Sequence, residues 1–175
     1  PSPKKYTTES MQGSMLSELL LGARSSALHR RTVTEEELAV YASGWLGALH
    51  QPSMFQIEWL LADPRFEGRV FEILEEEIAR VRAGKIDEAE LDGARNRMRM
   101  TLLSVLQNVG TLSSLLAEML LLGGDVSWYN RADEIVRAMQ ARDVANYAKT
   151  YMNPDGRASL IARPNSGSAG RGDAR

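Results

Sequence analysis

Two histidines, His29 and His50, and no cysteine set narrow limits on the chemistry open to this 175-residue chain. Without cysteine there is no disulfide, no thiolate nucleophile and no cysteine zinc site. A catalytic zinc needs three protein ligands and an open position for water. The two histidines are not one helical turn apart, and neither belongs to a His-x-x-Glu-His pattern, so a set of three zinc ligands is not visible. Serine chemistry would need one of these histidines beside a nucleophile and a carboxylate. His29 falls on a predicted helix and His50 in a predicted turn, and neither has a Gly-x-Ser-x-Gly context. Two acidic runs remain, Glu35-Glu36-Glu37 and Glu75-Glu76-Glu77. General acid or base work needs a carboxylate held in a cleft with a shifted pKa. The first run sits at a turn where Thr34 can cap, and the second lies mostly on the solvated side of an amphipathic helix, so both read as surface. Arg171-Gly172-Asp173 spells an adhesion tripeptide, but its Gly, Ser and Ala surroundings mark it as chance. No catalytic and no metal-ligating residue is assigned.

The elements that carry these residues follow from hydrophobic period and turn chemistry. Residues from about Thr8 to Arg31 read as helix, with Met11, Met15, Leu19 and Leu20 on one side and a break at Gly22. The segment Ser25–Arg31 can form a second short helix. The period then changes. Leu38–Leu49 and Met54–Leu61 read as an antiparallel hairpin about a turn at His50-Gln51-Pro52-Ser53, with Phe55, Ile57 and Trp59 sharing a face. Asp63-Pro64 ends the second strand. Phe66, Val70, Leu74, Ile78 and Val81 then mark an amphipathic helix that stops at Gly84. Asp87 and Glu90 predict a capping box for the next helix, which runs to Gly123-Gly124 with a bend near Gly110. Helices near Ser127–Met139 and Arg142–Met152, a turn at Asn153-Pro154-Asp155-Gly156 and a last strand over Arg157–Ala162 complete the order. Residues 165–175 form a Gly/Ser-rich tail expected to be flexible. The layout is α+β, with helices packed on one face of an antiparallel sheet. With so few strands, the sheet reads as incomplete.

Composition fits one domain of ordinary globular type, with 43% hydrophobic and 25% charged residues. A net charge of -2 argues against a general binder of nucleic-acid phosphates, which would be basic. The compartment stays open, since a cysteine-free chain suits cytoplasm and periplasm alike. Met100–Ala117 carries no charge over a length near the lower limit for a membrane span. It also carries Thr, Ser, Gln, Asn and Gly. Leu102, Leu106, Val109, Leu112, Leu116 and Met119 recur at helical spacing, so a buried helix is expected and no membrane span.

Four phrases in this order resemble the pitrilysin/insulinase-type zinc peptidases, the inverzincins, with the mitochondrial processing peptidases among them. They are Leu20-Leu21-Gly22-Ala23-Arg24-Ser25-Ser26-Ala27-Leu28-His29-Arg30-Arg31, then Glu36-Glu37-Leu38-Ala39, then Ile86-Asp87-Glu88-Ala89-Glu90-Leu91 with Ala94-Arg95-Asn96-Arg97, and finally Asp143-Val144 with Tyr147-Ala148 and Tyr151-Met152-Asn153-Pro154. Together they cover nearly all of Met11–Pro164. One departure is Gln140, which stands where the resembling sequences place a capping Thr.

The resemblance implies the C-terminal, zinc-free half of such an enzyme, spanning residues 11–164 behind a short segment 1–10. It implies strands ahead of the first helix, hence a half that is incomplete at the N-terminus. Zinc would belong to the full enzyme, held by an N-terminal domain or a partner subunit, in a dimeric chamber that takes peptide substrates. The resemblance also implies an Arg and a Tyr near the start of the hairpin that hold peptide carbonyls. Here the match is imperfect. One placement puts Val33 and Val40 at those positions, and a shift by one gives Tyr41 but Thr34 in place of Arg. Arg30, Arg31 and Tyr41 are the neighbouring candidates for substrate contact. A non-catalytic structural subunit of the same fold is the rival expectation.

Overall fold

The computed structural model describes residues 3–47, 54–123 and 125–163. Helix α1, Thr8–Leu21, runs through the middle of the helical layer. Thr7 and Ser10 cap it reciprocally. The Ser10 amide donates to the Thr7 hydroxyl at 3.1 Å, and the Thr7 amide donates to the Ser10 hydroxyl at 3.2 Å. Met15, Leu16 and Leu20 are fully buried because α1 packs against the sheet on one side and later helices on the others. The predicted break falls at Gly22. There Ser26 donates its hydroxyl to the Glu18 carbonyl at 2.9 Å and accepts from the Ala23 amide at 3.0 Å, reversing the chain. The short helix α2, Ala27–His29, widens into a π-helical turn over Arg30–Glu35. The Leu38 amide donates back to the Thr32 carbonyl at 2.8 Å, which aims the chain into the sheet.

Strands β1, Ala39–Gly47, and β2, Met54–Leu61, pair antiparallel as predicted. The turn expected at His50–Ser53 lies outside the described residues. An irregularity between Ala39 and Tyr41 leaves Val40 unmatched. From Tyr41 onward the register is regular, with Tyr41 opposite Leu60, Ser43 opposite Glu58 and Trp45 opposite Gln56. Ala42, Phe55, Ile57 and Trp59 take the other face and join the core. The helices therefore cover one face of an antiparallel sheet, in the α+β arrangement read from the sequence.

After a 3-10 turn at Pro64–Phe66, helix α3, Glu67–Arg82, buries Val70, Ile73, Leu74, Ile78 and Val81. It stops at Gly84, whose φ of 72° is in the left-handed region that glycine adopts freely. Helix α4, Glu88–Val105, starts with Asp87 accepting from the Ala89 amide at 2.7 Å. The second half of the predicted capping box is absent, because Glu90 instead accepts from Arg80 at 2.9 Å. The single long helix expected to reach Gly123-Gly124 is two helices. The chain turns by 103° at Leu106–Asn108, upstream of Gly110, and restarts as α5, Val109–Leu122. Asn108 causes the restart by accepting from the Thr111 amide at 3.0 Å.

The burial predicted for this stretch is corrected too. Only Met119 of α5 is buried, and Leu106 and Val109 are exposed, because α5 leaves the line of α4 and loses the core beneath it. Among the described residues no single helix is long and apolar enough to cross a membrane, although the bent α4–α5 pair meets the test on length and composition together.

Helices α6, Trp128–Ala138, and α7, Ala141–Tyr151, close the layer. Asp143 accepts from the Gln140 amide at 2.8 Å and so supports the α7 start from inside the helix. The last predicted strand, Arg157–Ala162, is not part of the sheet, whose described strands are β1 and β2. Side-chain ion pairs tie this segment to α3, Arg157 to Glu75 and Arg163 to Glu67, and Leu160 stands 96% exposed.

Candidate functional site

The π-helical turn places Arg30 and Arg31 just ahead of the hairpin, and Tyr41 stands on β1. The three do not converge as free groups. Arg30 ion-pairs with Glu35 within its own turn. Arg31 crosses to α3, donating to Glu76 at 2.6 Å and to Glu77 at 2.9 Å. Burial alone would lower the Arg31 pKa, but the hydrogen bonds to Glu76 and Glu77 outweigh it and hold the guanidinium above its ordinary value. The bond from Arg31 holds the Glu76 carboxyl below the usual range. Glu77 is the inner anchor. Its side chain is 8% exposed and also accepts from Arg80 at 2.7 Å. The surface reading of Glu75-Glu76-Glu77 therefore fails at its last member.

Thr32, between Arg31 and the hairpin, is fully buried. Its hydroxyl donates to the Leu28 carbonyl at 2.7 Å and accepts from the Trp59 indole at 3.3 Å. This bond fixes the π-helical turn against β2. Tyr41 is the candidate left open, 48% exposed on the face turned away from the helices.

The same face holds residues that the sequence reading did not single out. Along β1 it shows Tyr41, Ser43 and Trp45, and along β2 Gln56, Glu58 and Leu60. Strict alternation from the core-facing Phe55, Ile57 and Trp59 was the signal for them. At the free side of β2 lies a largely apolar trough of about 810 Å³, floored by Val70, Phe71, Leu74 and Ile78 of α3 and bounded by residues of the 157–163 segment. Tyr147 of α7 also lines it. Its hydroxyl is buried without a hydrogen-bond partner, and burial pushes its pKa up.

Metal chemistry finds no support here. Among the described residues no group of three or more His, Cys, Asp or Glu side chains could hold a metal ion. His29 has a buried Nδ1 without a partner, and His50 lies outside the described residues. The donor set thus does not fit a zinc ion. What the arrangement offers a ligand is strand edge, aromatic faces and one carboxylate.

The fold has close counterparts. A protease from Helicobacter pylori aligns with a TM-score of 0.76 at 21% identity, over 87% of this chain and 37% of that one. An inactive peptidase domain from Bordetella parapertussis aligns with a TM-score of 0.76 at 17% identity, over 95% of this chain and 90% of that one. A chain of complex III from Candida albicans gives 0.75 at 18% identity, over 85% and 37%. The chain therefore spans little more than a third of the Helicobacter and Candida chains. No curated protein sequence matches it. The family model described as the peptidase M16 inactive domain matches residues 1–98. That match takes in α1, the π-helical turn, the hairpin, α3 and the start of α4, more than half of the sequence, and the chain belongs to the peptidase M16 inactive-domain family.

Proposed function

We propose that this chain is the substrate-enclosing half of a zinc-dependent peptidase, whose zinc is held by another domain or by a partner subunit. The observation that carries the reading is the match to an inactive peptidase domain, on a fold whose hairpin leaves strand edges and one side-chain face uncovered. Among the described residues the donor set does not fit zinc, so this reading assigns the hydrolytic step to the zinc-bearing partner. The work of this chain is to hold the peptide. A strand edge offers alternating amides and carbonyls to any extended backbone, which gives affinity without sequence dependence. The Tyr41 phenol is exposed and can donate to a peptide carbonyl. Arg30 and Arg31 reach a peptide only by exchanging Glu35, and Glu76 with Glu77, for it.

A second reading, a structural subunit that has lost hydrolysis, draws on the likeness to a complex III chain. One experiment separates the two. The chain is added to the zinc-bearing half from the same protein or its neighbouring subunit, and cleavage of unstructured peptides is followed. Remote binding contributes to transition-state stabilisation, so kcat/KM for peptides of about 20 residues should rise on the order of tenfold, with a smaller gain for peptides of about five. No gain at either length would favour the structural subunit.

A further inference from the structure

The outward face of the hairpin carries an arrangement that backbone binding does not need. In a sheet covered on one side, the open face is ordinarily polar. Here Tyr41 and Trp45 stand on it, 48% and 44% exposed, each two residues from Ser43 and on opposite sides of it. Directly across from Ser43 is Glu58. Facing residues on paired strands have Cβ atoms about 5 Å apart, and diagonal neighbours about 7–8 Å. Ser43 is small, and the register sets Glu58 diagonally between the positions of the two aromatic residues. The residues opposite those aromatics, Leu60 and Gln56, are uncharged.

Glu58 has no partner, a state it shares among the described residues with Glu9, Glu37 and Glu134, but it alone of these stands on the hairpin face beside two aromatics. Most carboxylates on α3 and α4 are committed to arginines, including Glu72, Glu76, Glu77, Glu88 and Glu90. Glu58 is exposed and makes no ion pair or hydrogen bond with any described residue.

We propose that this face receives the Lys or Arg side chain of an extended peptide, with Glu58 as counter-charge and the rings of Tyr41 and Trp45 on its flanks. The proposal rests on the reading of the chain as a peptide-enclosing domain and adds a side-chain preference to it. Charge complementarity selects the occupant. A cation within about 6 Å of an aromatic face is attracted by the ring, and a carboxylate beside the same site adds a charge-assisted bond. An anionic side chain would meet Glu58 unfavourably, and an aliphatic one would cover the carboxylate without replacing its water. The surrounding surface is open, so the preference should weaken with added salt.

The test uses the ¹⁵N-labelled chain, titrated at low ionic strength with blocked pentapeptides of alanine carrying Arg, Leu or Glu at the centre. Tryptophan indole and backbone resonances report the site. The Arg peptide should shift the Trp45 indole and the amides of Ser43 and Glu58, and bind about fivefold tighter than the Leu peptide. The Glu peptide should bind weakest. Glu58→Gln should abolish the Arg preference, and Trp45→Leu should reduce it. Both side chains are on the surface, and thermal melts of the variants check that folding is intact. Equal binding of the Arg and Leu peptides, an unchanged preference in Glu58→Gln, shifts confined to the α3 residues that floor the trough with none at Ser43, Trp45 or Glu58, or no shift at all would each overturn the proposal. Those outcomes leave the peptide-enclosing reading to stand or fall separately on the cleavage gain with a zinc-bearing partner.

Discussion

Glu77 joins three elements through two arginines, Arg31 at 2.9 Å from the π-helical turn and Arg80 at 2.7 Å from its own helix, with Glu90 of α4 completing the chain through Arg80. Without Glu77, Arg31 keeps Glu76 and Arg80 keeps Glu90, so the loss is that of two charge-assisted hydrogen bonds at a largely buried carboxylate. Glu77→Ala should therefore lower stability by about 2 kcal/mol. Glu75→Ala, which removes an exposed pair with Arg157, should cost under about 0.5 kcal/mol. Denaturant midpoints of the two variants check the contrast, and equal losses would show that the buried network is not what holds α3 to the hairpin. The position of Glu77 was legible in the sequence. Val70, Leu74, Glu77 and Val81 follow one another at spacings of three and four, so residue 77 falls on the apolar stripe of α3. Its acidic side chain disguised it, because a run of three glutamates reads as solvated surface unless the arginines that meet it are known. Arg80 is a local partner three residues along α3, but Arg31 is distant in sequence and no local pattern announces it. The outward residues Trp45 and Glu58 were open to the same argument by alternation, once Phe55, Ile57 and Trp59 had been placed on the core face.

At the scale of elements, local signals served well where a cap or breaker was present. Gly22, Asp63-Pro64, Gly84 and Asp87 each end or begin an element where predicted. The exception is instructive. Met100–Ala117 is uncharged and periodic, which conceals a 103° turn. The one local sign of the turn is Asn108, a residue suited to an N-cap, three positions before the Thr111 amide that it accepts from at 3.0 Å. Asn108→Ala should cost about 1 kcal/mol and loosen α5 first, since Met119 is its only buried residue among those described. Hydrogen exchange would show this as faster exchange in Thr111–Leu115 with α1 unchanged. Protection that stays the same along α5 would mean that the Asn108 cap does not set the restart. The segment 157–162 shows the opposite failure. Its composition suits a strand, but strand formation needs a neighbour, and sequence pattern alone does not report whether the neighbour is there.

For the whole molecule, the α+β class and the order of elements were readable because helical and strand periods alternate cleanly along most of the chain. The division of labour in a peptidase was not readable from periodicity. It came from family resemblance, and the match over residues 1–98 then established the family. In the proposed function this chain shapes the space around a peptide and does not cut it. The most direct measurement is mass-spectrometric detection of products after the purified chain is incubated with unstructured peptides and added zinc. Water activation by a metal and a general base within reach of that water are both required for this hydrolysis. No chelator-sensitive product is expected from the chain alone. Cleavage that survives repurification, disappears with chelator and returns with zinc would contradict it.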